Sequence, residues 1–263
     1  MPTQETMEAL PEGHIERANE PERYWIFRGP AAYRAITPWR PLAGGMAAVG
    51  VFLGAVLAVG AVIALSWATN HAVGEVFVNI AGTLVQQITM IALTLFAASR
   101  YGGHAKRVLA LREPAQGIKA YPIAFLLLIA LTVGMNVVVH LIDTESAKSD
   151  ITMYQDMMKS RWWWLALIVV GIGAPLSEEL LCRGFLFSAL ANSRFGTTGA
   201  AVITSLGFAV AHPYSIVGVV QVFLIGLLFA WILIRTGSLR VTMVCHALYN
   251  TLMASFLIYG MNP

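Results

Sequence analysis

The sequence predicts an all-α protein, a polytopic membrane helix bundle of about seven transmembrane helices, and two observations carry this prediction. The 263 residues are 57% hydrophobic and only 12% charged, with a mean hydropathy of +0.69, whereas soluble domains carry roughly 25% charged residues. The chain also contains several apolar stretches of about the 20 residues that a helix needs to cross a bilayer. Helices suit hydrocarbon because they satisfy their own backbone groups there.

Seven apolar stretches are the predicted spans. They cover residues 42–68, 76–98, 121–142, 162–190, 197–212, 217–234 and 239–259. We therefore divide the chain into a cytoplasmic N-terminal tail, residues 1–41, and a transmembrane domain, residues 42–263. Arginine and aromatic residues are interspersed over residues 23–40, which is typical of an interfacial segment at the lipid headgroups. Residues 143–161 are predicted to form a polar outer loop.

Basic residues are spread unevenly among the predicted loops. The N-terminal tail, the 99–120 loop and the loops around Arg194 and Arg235 fall on one side of a seven-span bundle and are rich in arginine and lysine. The positive-inside rule then predicts an N-terminus in the cytoplasm, and we expect the membrane to be a bacterial plasma membrane. The net charge of +3 reflects basic loops at an anionic membrane face and implies nothing about nucleic acid. Membrane lipid is an expected partner, and nucleic acid is not.

The fourth span carries three charged side chains within the stretch SEELLCRG, residues 177–184. A charge at the bilayer centre costs on the order of 3 kcal/mol on insertion scales, so pairing is expected. Glu179 and Arg183 are four residues apart, which places them on one helix face as an ion pair. Glu178 points about 100° away and has no partner in its own span. A break, kink or strong tilt is expected near Pro175.

Two later spans supply polar partners at a similar depth. The fifth span holds Phe208 and His212 on one face, and the seventh holds His246 and Asn250 on one face. At 1.5 Å per residue, Glu178, His212 and Asn250 lie about 20 Å from the inner ends of their spans, and His246 about 14 Å. We therefore expect these side chains to form one polar layer inside the bilayer. Other polar residues in the spans are assigned to hydrogen bonds between helices or to the interface: Gln86, Gln87, Asn136 and His140.

These residue types suit peptide hydrolysis. That reaction needs a base to activate water and donors to stabilise the oxyanion. Glu178 is the candidate base, and His212 could hold the same water or share its proton. His246 and Asn250 present N–H donors from one helix face, as an oxyanion hole requires. These four side chains are the predicted catalytic residues, and no cofactor is expected.

The three motifs EExxxR at 178–183, FxxxH at 208–212 and HxxxN at 246–250, in this order, resemble the CAAX-protease and bacteriocin-processing (CPBP) family, also called the ABI family. Its members are intramembrane proteases related to the type II CAAX prenyl endopeptidases, and the resemblance covers about residues 162–255. It implies the same catalytic roles for a glutamate-type endopeptidase. The expected substrate is a membrane-anchored protein or a peptide, with a prenylated CAAX protein as one option.

Supporting roles fall to three other residues of the motifs. Glu179 and Arg183 would orient the first motif and hold Glu178 in place. Phe208 is expected mainly to pack, with stacking against His212 as its supporting role.

Two other functions fit the same residues. Glu178, His212 and His246 are acceptable zinc ligands, which would give a zinc-dependent version of the protease, although the HExxH pattern is absent. The cluster could instead be a proton relay in a transporter, or belong to a non-catalytic membrane scaffold or immunity protein. The sequence shows no pair of matching halves with discontinuous helices, which argues against a transporter.

Overall fold

The computed structural model describes residues 26–27, 30–69, 74–100, 104–142 and 144–259, and all regular structure in these ranges is helical. The helices are α1 (Pro41–Ala68), α2 (Glu75–Ser99), α3 (Ala105–Val108), α4 (Ala120–Ile142), α5 (Thr144–Lys159), α6 (Trp163–Ala191), α7 (Gly196–Val210), α8 (Ile216–Thr236) and α9 (Leu239–Ile258). The predicted tail lies outside the described residues up to residue 25.

Six of these helices are long and apolar enough to cross a membrane. They are α1, α2, α4 with the 3₁₀ turn Gly117–Lys119 before it, α6, α8 and α9. Helix α7 is apolar but only 15 residues long. The predicted fold class is confirmed as an all-α membrane bundle, with six long spans and one shorter apolar helix among the described residues instead of seven full spans.

Helix α5 corrects the prediction of a polar outer loop. Its sequence TESAKSDITMYQDMMK exposes four of its charged residues and places Met157 and Met158 in the protein core. These methionines pack in a cluster that includes Ala166 and Val169 of α6. The helix is therefore amphipathic and lies against the bundle, a pattern hidden by its low overall hydrophobicity.

Helix α6 continues through Pro175, so the break that was one of the three alternatives there, beside a kink or a strong tilt, does not occur. Two wide π-helical segments, Val169–Gly173 and Leu180–Leu186, flank the α-helical stretch Ala174–Glu179, which begins with the proline. Proline removes one backbone donor and so frees a carbonyl one turn earlier. Side chains from neighbouring helices bond to carbonyls of the first π-helical segment, which allows the helix to continue.

Among the described aromatic residues of the predicted interfacial segment, Phe27 is exposed, whereas Tyr33 and Trp39 are buried in the bundle. The Tyr33 ring meets Phe187 edge-on at 5.1 Å, and the Trp39 ring stacks on Phe185 at 5.0 Å. The backbone N–H of Tyr33 donates to the Ile234 carbonyl at 3.0 Å. The segment thus closes the end of the bundle where α6 finishes.

Candidate active site

The first motif places two adjacent glutamates in different surroundings on α6. Glu179 and Arg183 are fully buried, and Arg183 Nη1 lies 3.2 Å from Glu179 Oε1. The guanidinium carbon also lies 4.1 Å from the ring centre of Phe208 and 5.7 Å from that of Phe229, both within cation–π range. The predicted ion pair is confirmed, and Phe208 contacts the arginine as well as His212.

Glu178 lies between two imidazoles. Its Oε1 is 4.0 Å from His212 Nε2, and its Oε2 is 3.8 Å from His246 Nε2. The side chains of Glu178 and His212 are 23% and 20% exposed, and that of His246 is 8% exposed. Three predicted catalytic side chains from α6, α9 and the end of α7 therefore meet at a partly exposed site. Both separations are longer than a direct hydrogen bond.

His212 follows the last residue of α7 and is held by its own turn. Its Nδ1 lies 2.8 Å from the Phe208 carbonyl oxygen, and the two rings meet edge-on at 4.8 Å. A carbonyl oxygen only accepts, so Nδ1 carries the proton. In the neutral ring, Nε2 is then an acceptor that faces Glu178.

His246 connects the two glutamates. Its Nδ1 lies 3.3 Å from Glu179 Oε1, while its Nε2 faces Glu178. The Phe229 ring packs at 5.0 Å from the imidazole. The sequence spacing predicted Arg183 as the partner of Glu179 and did not predict His246. It predicted no role for Phe229, because nothing in the sequence distinguishes one aromatic residue of an apolar span from the others.

Asn250 lies one turn beyond His246 on α9 and contacts the backbone of α6. Its amide nitrogen donates to the Val170 carbonyl at 3.2 Å. Thr251 donates to the Gly171 carbonyl at 3.4 Å, and Gln87 of α2 donates to the Val169 carbonyl at 3.0 Å. These three bonds satisfy successive carbonyls of the first π-helical segment. Among the contacts of the described residues, Asn250 is thus joined to this backbone and not to Glu178.

Gly171 allows α6 and α9 to approach this closely. A β-carbon at this position would lie 2.5 Å from Thr251 Oγ1 and 3.3 Å from its Cα. Gly171 therefore permits close packing of α6 and α9, which brings the third motif toward the first.

Comparison with known proteins identifies the segment that holds these motifs. A family model described as type II CAAX prenyl endopeptidase Rce1-like matches residues 160–252. Residues 160–252 are thus similar to the Rce1-like CAAX protease family, and we call them the Rce1-like segment. An uncharacterized 24.3 kDa protein of Escherichia coli is 36% identical to the chain over 92 residues, a match that spans 34% of this chain and 42% of that protein. No solved structure matches the chain.

The Rce1-like segment contains all the predicted site residues together with both cysteines. Cys182 and Cys245 are free, and the Cys245 thiol donates to the Tyr121 carbonyl at 3.5 Å. Within the described ranges, no three histidine, cysteine, aspartate or glutamate side chains are grouped so that they could hold a metal ion.

Proposed function

We propose that this protein is an intramembrane endopeptidase that hydrolyses a peptide bond in a membrane-associated protein or peptide. One observation carries the proposal: Glu178, partly open to solvent, faces the Nε2 atoms of His212 and His246 at 4.0 and 3.8 Å. Its neighbour Glu179 is fully buried and paired with Arg183. Only Glu178 of the two is both accessible and free of a direct cationic partner among the described contacts.

Glu178 activates the water in this mechanism. Separations of 3.8 to 4.0 Å are too long for direct hydrogen bonds but suit one bridging water. Glu178 takes one proton from that water while the water oxygen bonds to the substrate carbonyl carbon, and His212 Nε2 accepts the other water hydrogen as a hydrogen bond. The same proton then passes from Glu178 to the amine nitrogen as the carbon–nitrogen bond breaks.

His246 and Asn250 stabilise the oxyanion. Glu179, ionised beside Arg183, accepts from His246 Nδ1, so Nε2 can donate only when both ring nitrogens carry protons. Asn250 uses one amide hydrogen on Val170 and keeps a second for the oxyanion. Each such donor contributes roughly 10²- to 10³-fold to the rate.

The substrate is a protein or peptide anchored in the same membrane. The six long apolar helices are those of a bundle that spans the bilayer, so the scissile bond must approach within it or at its surface. A prenylated CAAX protein and a peptide precursor are the two substrate classes to compare. The N-terminus lies in the cytoplasm in this proposal, and the surrounding lipid belongs to a bacterial plasma membrane.

Two linked experiments test the proposal. Membrane fractions from cells that express the wild type or Glu178→Gln are compared by mass spectrometry for new peptide termini. Wild-type cells should show termini that Glu178→Gln cells lack. The purified protein is then tested in vesicles on lipid-anchored and unanchored peptides of the same sequence. Glu145→Gln is the matched control, because this glutamate is exposed on α5.

Other outcomes point to the other functions. The zinc version would replace the metal-free mechanism if the purified protein bound about one metal ion per molecule, and if chelation removed the activity and zinc restored it. Identical termini in wild-type and Glu178→Gln cells, with no cleavage in vesicles, would reject the protease and favour a scaffold, an immunity protein or a transporter.

A further inference from the structure

Two side chains on one face of α5 contact the loop that carries His212. Asp150 and Tyr154 are four residues apart, and their partners Ser215 and Tyr214 are consecutive in that loop. His212 lies just beyond Val210, the last residue of α7, and bonds back to Phe208 and Ala209 of that helix. The residues that follow His212 have left the helix, so other contacts must hold them.

Tyr154 and Tyr214 form the contact next to the imidazole. Their hydroxyl oxygens are 2.7 Å apart, and their rings meet edge-on. The Tyr214 ring lies 5.3 Å from the His212 ring, and the Tyr214 N–H donates to the His212 carbonyl at 2.9 Å. Burial raises the pKa of both tyrosines, so both hydroxyls keep their protons at neutral pH.

Asp150 forms the second contact, at the start of α8. Its Oδ1 accepts from the Ser215 backbone N–H at 2.8 Å, and its Oδ2 accepts from the Ser215 hydroxyl at 2.7 Å. The Ser215 oxygen in turn accepts from the Gly218 N–H at 3.2 Å and caps the helix. A β-carbon at Gly218 would collide with the Asp150 carboxylate, so the close approach requires glycine there.

We propose that Asp150 and Tyr154 are positioning residues, which hold the His212 loop so that His212 Nε2 stays directed at Glu178. This inference rests on the proposed protease function. Phe208 anchors His212 on the α7 side at Nδ1, and α5 anchors the following residues from the opposite side. The amphipathic helix α5 is thus part of the support of the active site, although it holds none of its three motifs.

The test uses the full-length protein in vesicles with a lipid-anchored peptide. Asp150→Ala should lower kcat about 10- to 100-fold, since a displacement near 1 Å can cost on the order of 100-fold. Asp150→Asn, which keeps one acceptor oxygen, should have a smaller effect. Tyr154→Phe and Tyr214→Phe should each lower kcat about 2- to 10-fold, the range of one hydrogen bond. KM should stay within about twofold in all of them, because the chemical step alone is affected.

Two control variants match these substitutions. Asp156→Asn replaces an exposed aspartate of α5, and Tyr259→Phe replaces an exposed tyrosine after α9. Both should leave kcat and KM unchanged. Hydrogen exchange of residues 211–218 is measured in parallel, and it should become faster in Asp150→Ala but not in Asp156→Asn.

If Asp150→Ala does not fold, the Tyr154→Phe and Tyr214→Phe variants still test the proposal. Tyr154→Phe combined with Tyr214→Phe should lower kcat no further than either single change, because all three remove the same hydrogen bond. Unchanged kcat with faster exchange would overturn the proposal, as would raised KM with unchanged kcat, which would assign α5 to substrate binding. A wild type that cleaves nothing, with faster exchange in Asp150→Ala, would reject the protease function while supporting the anchored loop.

Discussion

Glu178 and Glu179 are consecutive residues of one helix, yet they belong to two different regions of the molecule. Glu179 is fully buried, with Arg183 at 3.2 Å and His246 at 3.3 Å. Glu178 is 23% exposed and faces two imidazoles at distances that leave room between the groups. The surroundings of Glu179 neutralise its carboxylate and fix the local structure. The surroundings of Glu178 leave its carboxylate available to bind water.

The difference follows from helix geometry. Successive residues of an α-helix point about 100° apart. Glu179 therefore points toward Arg183 and the aromatic rings of α7 and α8, while Glu178 points toward the polar end of α7 at His212. A pair of identical residues can thus supply a base and its support without any separation along the chain.

The largest expected effect comes from removing the available carboxylate. Glu178→Gln keeps the size of the side chain but cannot take a proton from water. We expect kcat to fall about 10³- to 10⁴-fold, near the upper end of general-base contributions. The unfolding temperature in detergent should not change. A variant that is equally active would show that the base lies elsewhere.

Breaking the buried ion pair of Glu179 and Arg183 should mainly lower the free energy of unfolding. Arg183→Ala leaves Glu179 buried without its cation, and breaking such a pair costs about 3–5 kcal/mol. The unfolding free energy, measured by denaturant titration in micelles, should fall by that amount. Combining Glu179→Gln with Arg183→Met should restore part of the loss. If Arg183→Ala leaves stability unchanged, the comparison between the two glutamates fails.

Substituting Asn250 tests whether this residue stabilises the oxyanion near the partly exposed Glu178. Asn250→Ala should lower kcat about 10²- to 10³-fold with little change in KM, the effect of losing one oxyanion donor. Its bond to Val170 is lost as well, so the control is Thr251→Val, which removes the neighbouring bond to Gly171 alone. Equal losses in both variants would assign Asn250 to helix packing only.

The smallest expected effect concerns an exposed ion pair that, like Arg183 and Glu179, joins an arginine to a glutamate. Arg240 and Glu113 form an ion pair at the protein surface. Arg240→Ala should change the unfolding free energy by less than about 1 kcal/mol, because water and salt screen such pairs. Measured under the same conditions as Arg183→Ala, it shows how much burial contributes. A loss as large as that of Arg183→Ala would contradict this explanation.

Composition and motif spacing predicted much of this architecture. The apolar stretches predicted the bundle, and the spacing of Glu179 and Arg183 predicted their ion pair. The polar residues of three spans also predicted that His212 and His246 would lie near Glu178, although Asn250 contacts Val170 instead. These signals are strong because charge is rare in a membrane span and every buried polar group needs a partner.

Other features depend on long-range packing that sequence spacing does not report. Helix α5 was predicted as a loop because its stability comes from Met157 and Met158 against α6 rather than from overall hydrophobicity. Tyr33 and Trp39 were assigned to the headgroup layer because arginines flank them, yet both pack on α6. The contact of Asn250 with Val170 depends on a π-helical segment, which no simple periodicity reveals.

The directions in which the side chains of α6 point depend on how many residues its wide turns contain. Each π-helical turn holds one residue more than an α-helical turn. Deleting one residue within Leu180–Leu186 would let this stretch wind as an ordinary α-helix, and the larger rotation per residue would offset the lost residue. A deletion within residues 174–177, which are already α-helical, has no such offset and would rotate one half of the helix by about 100° against the other. The alignment of this motif is therefore more sensitive to a deletion before the glutamates than to one after them.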